Sequence, residues 1–562
     1  MKRRLDQLSS GTYDLLIIGG GIYGAAAAWD AALRGLSVAL VERGDFSEAA
    51  SGNCYKFVHG GIRYLQHGDV ARVRESSRER RALLRIAPHL VQPISVVVPT
   101  YGRGLQGKPL MRAALGVYDL LTADRNRGLA DPQRRISRGY CLSRAECLQL
   151  FPGVPANGLT GAAVFHDAQM SSPARLVLAF LQSAANEGAD VANYVEATGF
   201  LRDGHRVTGV RALDRLSGRP LDIRGRIVLN ATGAWVERLL GHDAGLALPR
   251  PLTFSRDAYF IIRKRLSTDH ALAVQAQTKD PDALMSRGRR HLFLAPWRDY
   301  TLVGVWHKVH REYPDAMTLT TPELAAFVEE INTGYPLGLR PSDVLRWGAG
   351  LTLFGDNAAG TVHLSYGKRS VLVDHSQTHG VGGLISLVGV RYTTARGMAQ
   401  QAVDLVVGKL GLVRGCRTEA TPVAGGGIAD VERYVAQAVA ERPAGLSAKA
   451  AEALVRNHGT DHGAVLRLAQ ETPALAQPVD GSLVIRAEVL HAVREEMAQT
   501  LRDVVFRRTD LGTGEYPGEA ALRGCAELMA AELGWDAARV QREIEDVEAG
   551  YPVRTSTEGL SA

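Results

Sequence analysis

Residues 14–42 constrain this chain more than any other stretch. Asp14-Leu15-Leu16-Ile17-Ile18 is a short apolar run of the kind that forms a parallel strand buried on both faces. Gly19-Gly20-Gly21-Ile22-Tyr23-Gly24 follows, and an alanine-rich segment, Ala25 to Leu33, reads as a helix closed by Gly35. Ser37 to Val41 is a second strand, ending at Glu42. Gly19, Gly21 and Gly24 fall at the GxGxxG spacing between strand and helix. Gly19 permits the tight turn, Gly21 lets the backbone approach a pyrophosphate, and Gly24 lets helix and strand pack closely. The helix N-terminus offers free N–H groups and the positive end of its dipole to the phosphates. Glu42 stands where an acid can bond an adenosine ribose. The unit predicts a dinucleotide-binding α/β fold. Its bland alternative is a glycine-rich turn without a ligand.

The 562 residues allow three or four domains or subdomains. Hydrophobic residues make up 46% and charged residues 22%, which supports a large core and argues against bulk disorder. The net charge of +7 suits an anionic small molecule, an anionic membrane surface or nucleic acid. No aromatic-studded basic platform is present, so no nucleic-acid partner is expected. The five cysteines, Cys54, Cys141, Cys147, Cys416 and Cys525, form no CxxC pair. A disulfide framework or structural metal is not expected, and a reducing cytoplasm is the default. No apolar run is long enough to span a bilayer.

A second element separates FAD from NAD. Ile227-Val228-Leu229-Asn230-Ala231-Thr232-Gly233-Ala234-Trp235 is an apolar strand entering a small-residue turn. It resembles the late strand that returns beside the cofactor in two-dinucleotide-binding flavoproteins. Asp45-Phe46, a Ser-rich turn, then Lys56-Phe57-Val58-His59-Gly60-Gly61-Ile62-Arg63-Tyr64-Leu65 resemble the FAD-dependent glycerol-3-phosphate dehydrogenase family. By that resemblance the fold is a Rossmann-like FAD-binding domain with an α+β substrate or cap domain and a C-terminal helical domain. Ser51 sits near the pyrophosphate, and the His59-Gly60-Gly61 backbone runs along the isoalloxazine. Arg63 and Tyr64 face the substrate. Paired glycines suit close approach to a flat ring, and an arginine fork suits a phosphate or carboxylate. Val195 fits the strand beside the adenine, and Ala231 and Gly233 the returning turn. Gly389 with Thr393 and Thr394 fits the last flavin-contacting turn, where a threonine caps a helix aimed at the flavin. For His59 alone a satisfied core histidine is the plain alternative, for Arg63 a surface ion pair, and for the threonine pair an ordinary helix cap.

The likeness spans nearly the whole chain. Residues 1–413 form the FAD-binding domain with interleaved substrate or cap segments at about 70–165 and 240–345. Residues 414–427 read as a linker and 428–562 as the helical domain, with Thr500 to Thr509 matching the family's C-terminal domain.

The substrate shell departs from the pattern. Gly304-Val305-Trp306-His307 stands where the family has Gly-Thr-Thr-Asp, and Ala349-Gly350-Leu351-Thr352 removes an expected phosphate arginine. Gly389-Val390-Arg391 replaces Gly-Gly-Lys, Tyr259 replaces a cap-strand histidine, and Lys368 or Arg369 stands near another expected arginine. Gly52, Asn53 and Cys54 replace serines, and Cys54 reads either as a reactive thiol near the flavin or as a buried inert one. The implied chemistry is oxidation of glycerol 3-phosphate or a related alcohol at flavin N5, with electrons passing to quinone or oxygen. Arg63 and Arg391 hold the anionic end, and His59, His307 and Tyr259 are the candidate bases. The altered pocket leaves open another alcohol or an amine on the same fold. A flavin-containing binding protein without turnover is the third reading, and the retained Arg63, Tyr64 and Arg391 oppose it. Lys108 to Leu121 mixes apolar residues with two cations. It reads either as an interfacial helix for peripheral contact with the inner face of a membrane or as a core-facing helix.

Overall fold

In the computed structural model the strand Thr12–Ile18 lies between Pro220–Asn230 and Val38–Val41, parallel to both. The structure describes residues 1–102, 107–241, 246, 248, 252–279, 289–310, 314–315, 317–354 and 369–552. Leu15, Leu16 and Ile17 are fully buried, which is why this strand reads as a continuous apolar run rather than an alternation. The sheet runs Val371–Asp374, Leu384–Val388, Pro220–Asn230, Thr12–Ile18, Val38–Val41, Asp190–Ala192. An antiparallel pair, Val195–Asp203 and Arg206–Asp214, joins it through Pro220–Asn230. The alanines of helix Ile22–Leu33 let it sit close to helices Pro173–Asn186 and Ala395–Lys409, with Trp29 edge-on to Phe180 at 5.3 Å.

A second, mostly antiparallel sheet covers the first domain. Its order is Val344–Phe354, Thr253–Ile262, Tyr300–His310, Arg289–Trp297, His270–Lys279, Val91–Tyr101, Leu159–Met170, Phe57–Val58. Side chains alternate across it. Ala258 and Phe260 join the core under helix Thr321–Gly334, whereas Tyr259 and Ile261 join Tyr55, Phe57 and Trp297 on the opposite face.

Residues 431–548 are helical and carry apolar clusters of their own. Buried charge ties them to the first domain. Asp45, fully buried just beyond the second strand, accepts from Arg507 Nε at 2.5 Å, from Arg508 Nη1 and Nη2 at 2.7 Å each, and from Asn193 Nδ2 at 2.9 Å. Arg175 makes a second tie, donating to both Glu496 oxygens at 2.6 and 2.7 Å and meeting His458 Nδ1 at 3.0 Å.

Burial pushes the Asp45 carboxyl up, but Arg508 and Arg507 outweigh it and hold the group below the ordinary carboxylate range. A depressed acid stabilises the fold fully above its unfolded pKa of about 3.9, and that contribution fades as pH falls below it. Replacing Asp45 by Ala leaves the buried Arg508 without a carboxylate and Arg507 with Asp503 alone, and is expected to cost about 3–5 kcal/mol. Urea unfolding at pH 7 should show this as a lower midpoint. The gap between Asp45→Ala and the parent should narrow as the pH is taken below about 4.

Candidate active site

The glycine turn opens into a cavity of about 630 Å³ that runs from Glu42 and Trp235 at one end to Cys54 and Gly389-Val390-Arg391-Tyr392 at the other. Its shape follows from the glycines. Gly19 has φ +110°, and a Cβ there would lie 2.6 Å from the Ala231 carbonyl oxygen. A Cβ on Gly24 would come within 1.9 Å of the Gly19 carbonyl oxygen. At Gly21 a Cβ would meet only Ser51 Oγ, at 3.1 Å, so this backbone faces open space. Ser51 Oγ in turn accepts from Ile22 N at 3.0 Å, at the start of the helix. Glu42 accepts from Gly20 N at 2.7 Å and Gly44 N at 2.9 Å, and burial raises its carboxyl pKa. These groups fit a dinucleotide: an acid for a ribose, glycine backbone and a helix start for the pyrophosphate, and room beyond for a ring system. Ala231 and Gly233 line the cavity where expected. Val195 does not, because its side chain is in the core; the neighbouring Glu196, Ala197 and Thr198 form the wall instead. Asp315 closes the Glu42 end, accepting from Arg43 at 2.8 Å, Trp235 Nε1 at 2.8 Å and Arg238 at 2.7 Å.

Beside the other end stands a cluster of polar groups. Gly389 packs against Tyr23, whose hydroxyl donates to the Arg391 carbonyl at 2.7 Å and accepts from Arg391 N at 3.1 Å. Arg391 donates to Ser76 Oγ at 3.1 Å and Glu75 at 3.4 Å, and its guanidinium lies 5.0 Å from the Tyr64 ring centre. His59 donates its backbone N–H to Thr393 Oγ1 at 3.0 Å, and its Nδ1 is 3.4 Å from Asp167 Oδ2. The His59 side chain is 48% exposed, open to a ligand. Arg63 is exposed close by, and burial, followed by the charge of Arg63, lowers the His291 imidazole to about 4. The structure thus brings His59, Tyr64, Arg391 and Thr393 to one region, with Arg63 on the same turn as Tyr64 and its charge felt at His291.

The packing around the paired glycines is tight. A Cβ on Gly60 would lie 2.2 Å from both Arg80 Nη1 and the Tyr118 hydroxyl, while Asp167 accepts from Gly60 N at 2.5 Å and Tyr118 donates to Gly60 O at 3.0 Å. Gly61 takes the left-handed conformation, φ +85°, that starts the turn carrying Arg63 and Tyr64. Neither threonine caps the helix Ala395–Lys409 with its side chain; Thr393 is engaged by His59, and Thr394 Oγ1 donates to Arg391 O at 3.4 Å. Tyr259 sits apart from the cluster, its hydroxyl accepting from Lys56 Nζ at 2.9 Å. His307 pairs through Nδ1 with Asp257 at 2.7 Å. Trp306 points the other way and stacks on Phe327, ring centres 5.4 Å apart, so this departure belongs to the cap core. Leu351 lines the large cavity without charge. Lys368 lies outside the described residues, while Arg369 is exposed and its charge reaches Asp69. Burial pushes the Cys54 thiol up, which favours the inert reading over a thiolate. Asp167 and Arg80, joined at 2.7 Å, carry the region yet have no local sequence signal beyond charge on a buried strand and helix.

The comparisons agree with this geometry. The family described as FAD dependent oxidoreductase matches residues 14–404, and the family described as the C-terminal domain of alpha-glycerophosphate oxidase matches residues 416–540. The chain is an FAD-dependent oxidoreductase. The glycerol-3-phosphate dehydrogenase of Synechocystis sp. is 31% identical over 563 residues, 97% of each chain. The mitochondrial enzyme of that name from Homo sapiens is 31% identical over 582 residues, 97% of this chain and 74% of its own. The chain belongs to the glycerol-3-phosphate dehydrogenase family. Its fold is that of the Bacillus halodurans glycerol-3-phosphate dehydrogenase solved with FAD, with TM-score 0.75, 23% identity, and 97% of this chain and 96% of that one covered.

Gly24→Ala should drive a methyl group into the Gly19 carbonyl and open the turn. The purified variant is expected to lose its flavin absorbance relative to protein. Full retention of FAD would show that the turn tolerates the change.

Proposed function

We propose that the protein oxidises sn-glycerol 3-phosphate, or a closely related small anionic alcohol, at the Arg391 end of the large cavity. The observation that carries this reading is the placing of Arg391 against Tyr64, and of His59 against Thr393 two residues beyond Arg391, at the Gly389 end of the cavity. Arg391 supplies the guanidinium fork for the phosphate, and Ser76 and Tyr64 hold that fork in place. Asp167 faces His59 Nδ1 and favours the tautomer with its proton there, leaving Nε2 to accept the substrate hydroxyl proton. Asp167 is itself held by Arg80 and Gly60 N. FAD, when bound, supplies the two-electron acceptor for the hydride that leaves the substrate carbon. Electrons then pass to quinone or to oxygen.

Anaerobic addition of glycerol 3-phosphate should bleach the flavin band. Arg391→Ala should reduce kcat/KM by about tenfold or more, the loss of one charged hydrogen bond of about 1.5–3 kcal/mol, mostly through KM. A flavin that dithionite reduces and glycerol 3-phosphate does not would remove this substrate. A panel of other alcohols and amines would then replace it.

A peripheral membrane contact is part of the proposal. Helix Lys108–Leu121 buries Leu115 and Tyr118 but turns Pro109, Ala113, Gly116, Val117 and Leu120 outward. Val117 is 51% and Leu120 77% exposed, and Arg112 lies on the same face. An apolar face with a cation suits the headgroup boundary. Among the described residues no helix is long and apolar enough to cross a membrane. In flotation with anionic vesicles, the Val117→Asp, Leu120→Asp double variant should stay with the soluble fraction while the parent floats. Equal flotation of both would assign the contact elsewhere.

A further inference from the structure

A second cavity, of about 80 Å³, opens where three parts of the chain meet. Lys56 comes from the turn before His59, Tyr259, Arg298 and Arg346 from the cap sheet, and Arg502 and Arg507 from the C-terminal domain. His59, Tyr64 and Arg391 do not line it. Five of those six side chains are cations, and Glu48 is the one carboxylate on the wall. Glu48 is already used, accepting from Asp45 N at 3.2 Å.

Three of the cations are matched. Arg298 pairs with Asp510, Arg502 with Asp546 at 3.5 Å, and Arg507 with Asp45 and Asp503 at 2.5 and 2.6 Å. Two are not. Lys56 is 4% exposed; it donates to Tyr259 and lies over the Tyr259 and Trp297 rings, 4.1 and 4.8 Å from their centres. Arg346 donates to the Gly512 carbonyl at 2.8 Å, with its guanidinium 3.8 Å from the Phe506 ring centre and 5.6 Å from that of Tyr551. Among the described residues no carboxylate pairs with either. Burial costs a cation its hydration, and a ring face returns only part of that. Arginine also has five N–H donors in a planar fork shaped for an oxyanion.

We propose that this cavity binds one small oxyanion of the phosphate class, held by Lys56 and Arg346 and separate from the pocket around Arg391. Its occupant bridges the cap sheet and the C-terminal domain, so binding stabilises their docking. The anion is either free inorganic phosphate or the phosphate of a monoester such as the substrate.

The test is calorimetric titration of the FAD-loaded protein with inorganic phosphate at constant ionic strength, with chloride as the control anion. Arg391→Ala serves as background, because it weakens the other pocket. One equivalent of phosphate should still bind that variant. Adding Arg346→Gln should weaken it about tenfold or more, and adding Arg502→Gln, a partly exposed side chain, about threefold. Arg502→Gln decides the matter if Arg346→Gln does not retain FAD. Glycerol 3-phosphate binding to the Arg391→Ala protein with the same dependence on Arg346 or Arg502 identifies a monoester as an occupant; binding of inorganic phosphate alone identifies the free ion. The proposal is overturned if Arg391→Ala abolishes all phosphate binding, if chloride competes equally, or if the folded cavity variants bind as before. None of these readings depends on turnover, so the site stands or falls apart from the proposed reaction.

Discussion

The buried pairing of Asp45 with Arg507 and Arg508 is the interaction on which the architecture turns. Asp45 lies three residues beyond Glu42, where the second strand runs out, and two residues before Ser47 on the wall of the large cavity. Phe46 anchors this loop in the core, but the Ser-, Gly- and Ala-rich residues around it add little apolar surface to order the rest. Two guanidinium groups from a distant domain order it instead, and Asn193 adds a fourth bond from beside the neighbouring strand. The C-terminal domain therefore holds a loop on the wall of the cofactor cavity, although none of its described residues lines that cavity. A buried charge tolerates few alternative partners, which gives the docking its register.

The same logic holds the region around His59. His59 is exposed at its ring and constrained at its backbone, where Thr393 anchors its N–H and Asp167, Arg80 and Tyr118 fix the next residue. These partners come from the turn after strand Leu384–Val388, from strand Leu159–Met170, and from helices Val70–Ile86 and Lys108–Leu121. A side chain held in this way can meet a ligand without reorganising first, which is the condition for efficient proton transfer and electrostatic stabilisation. Arg391 is treated similarly, with Tyr23 clasping its backbone and Tyr64 and Ser76 its side chain.

Local chemistry was legible along the chain because it depends on near neighbours. The apolar run at Leu15–Ile18, the glycines at 19, 21 and 24 and the acid at 42 each act within one strand–turn–helix–strand unit. Their spacing therefore carries the fold class and the cofactor. The departures from the family pattern were legible as letters only. Trp306 and His307 are adjacent, yet a strand sends successive side chains to opposite faces, so one stacks in the cap core and the other meets Asp257. Tyr259 reads as a residue of the Arg391 pocket, but it sits against Lys56 from another segment, on the wall of the second cavity. Gly60 is legible as a close-approach glycine, but that Arg80 and Tyr118 are what fill the place of its side chain is not.

The dinucleotide-binding unit, the FAD class, the family and the cations available to an anion are all written in the linear order of residues. Which of those cations converge is a property of the folded chain. Charge complementarity across hundreds of residues, as between Asp45 and Arg508 or Arg175 and Glu496, leaves no periodic trace in a chain. It becomes visible when burial removes water and makes each unmatched charge costly. By that measure Lys56 and Arg346, which no described carboxylate pairs, mark the proposed second site, whereas Arg391 meets Glu75, Ser76 and the Tyr64 ring.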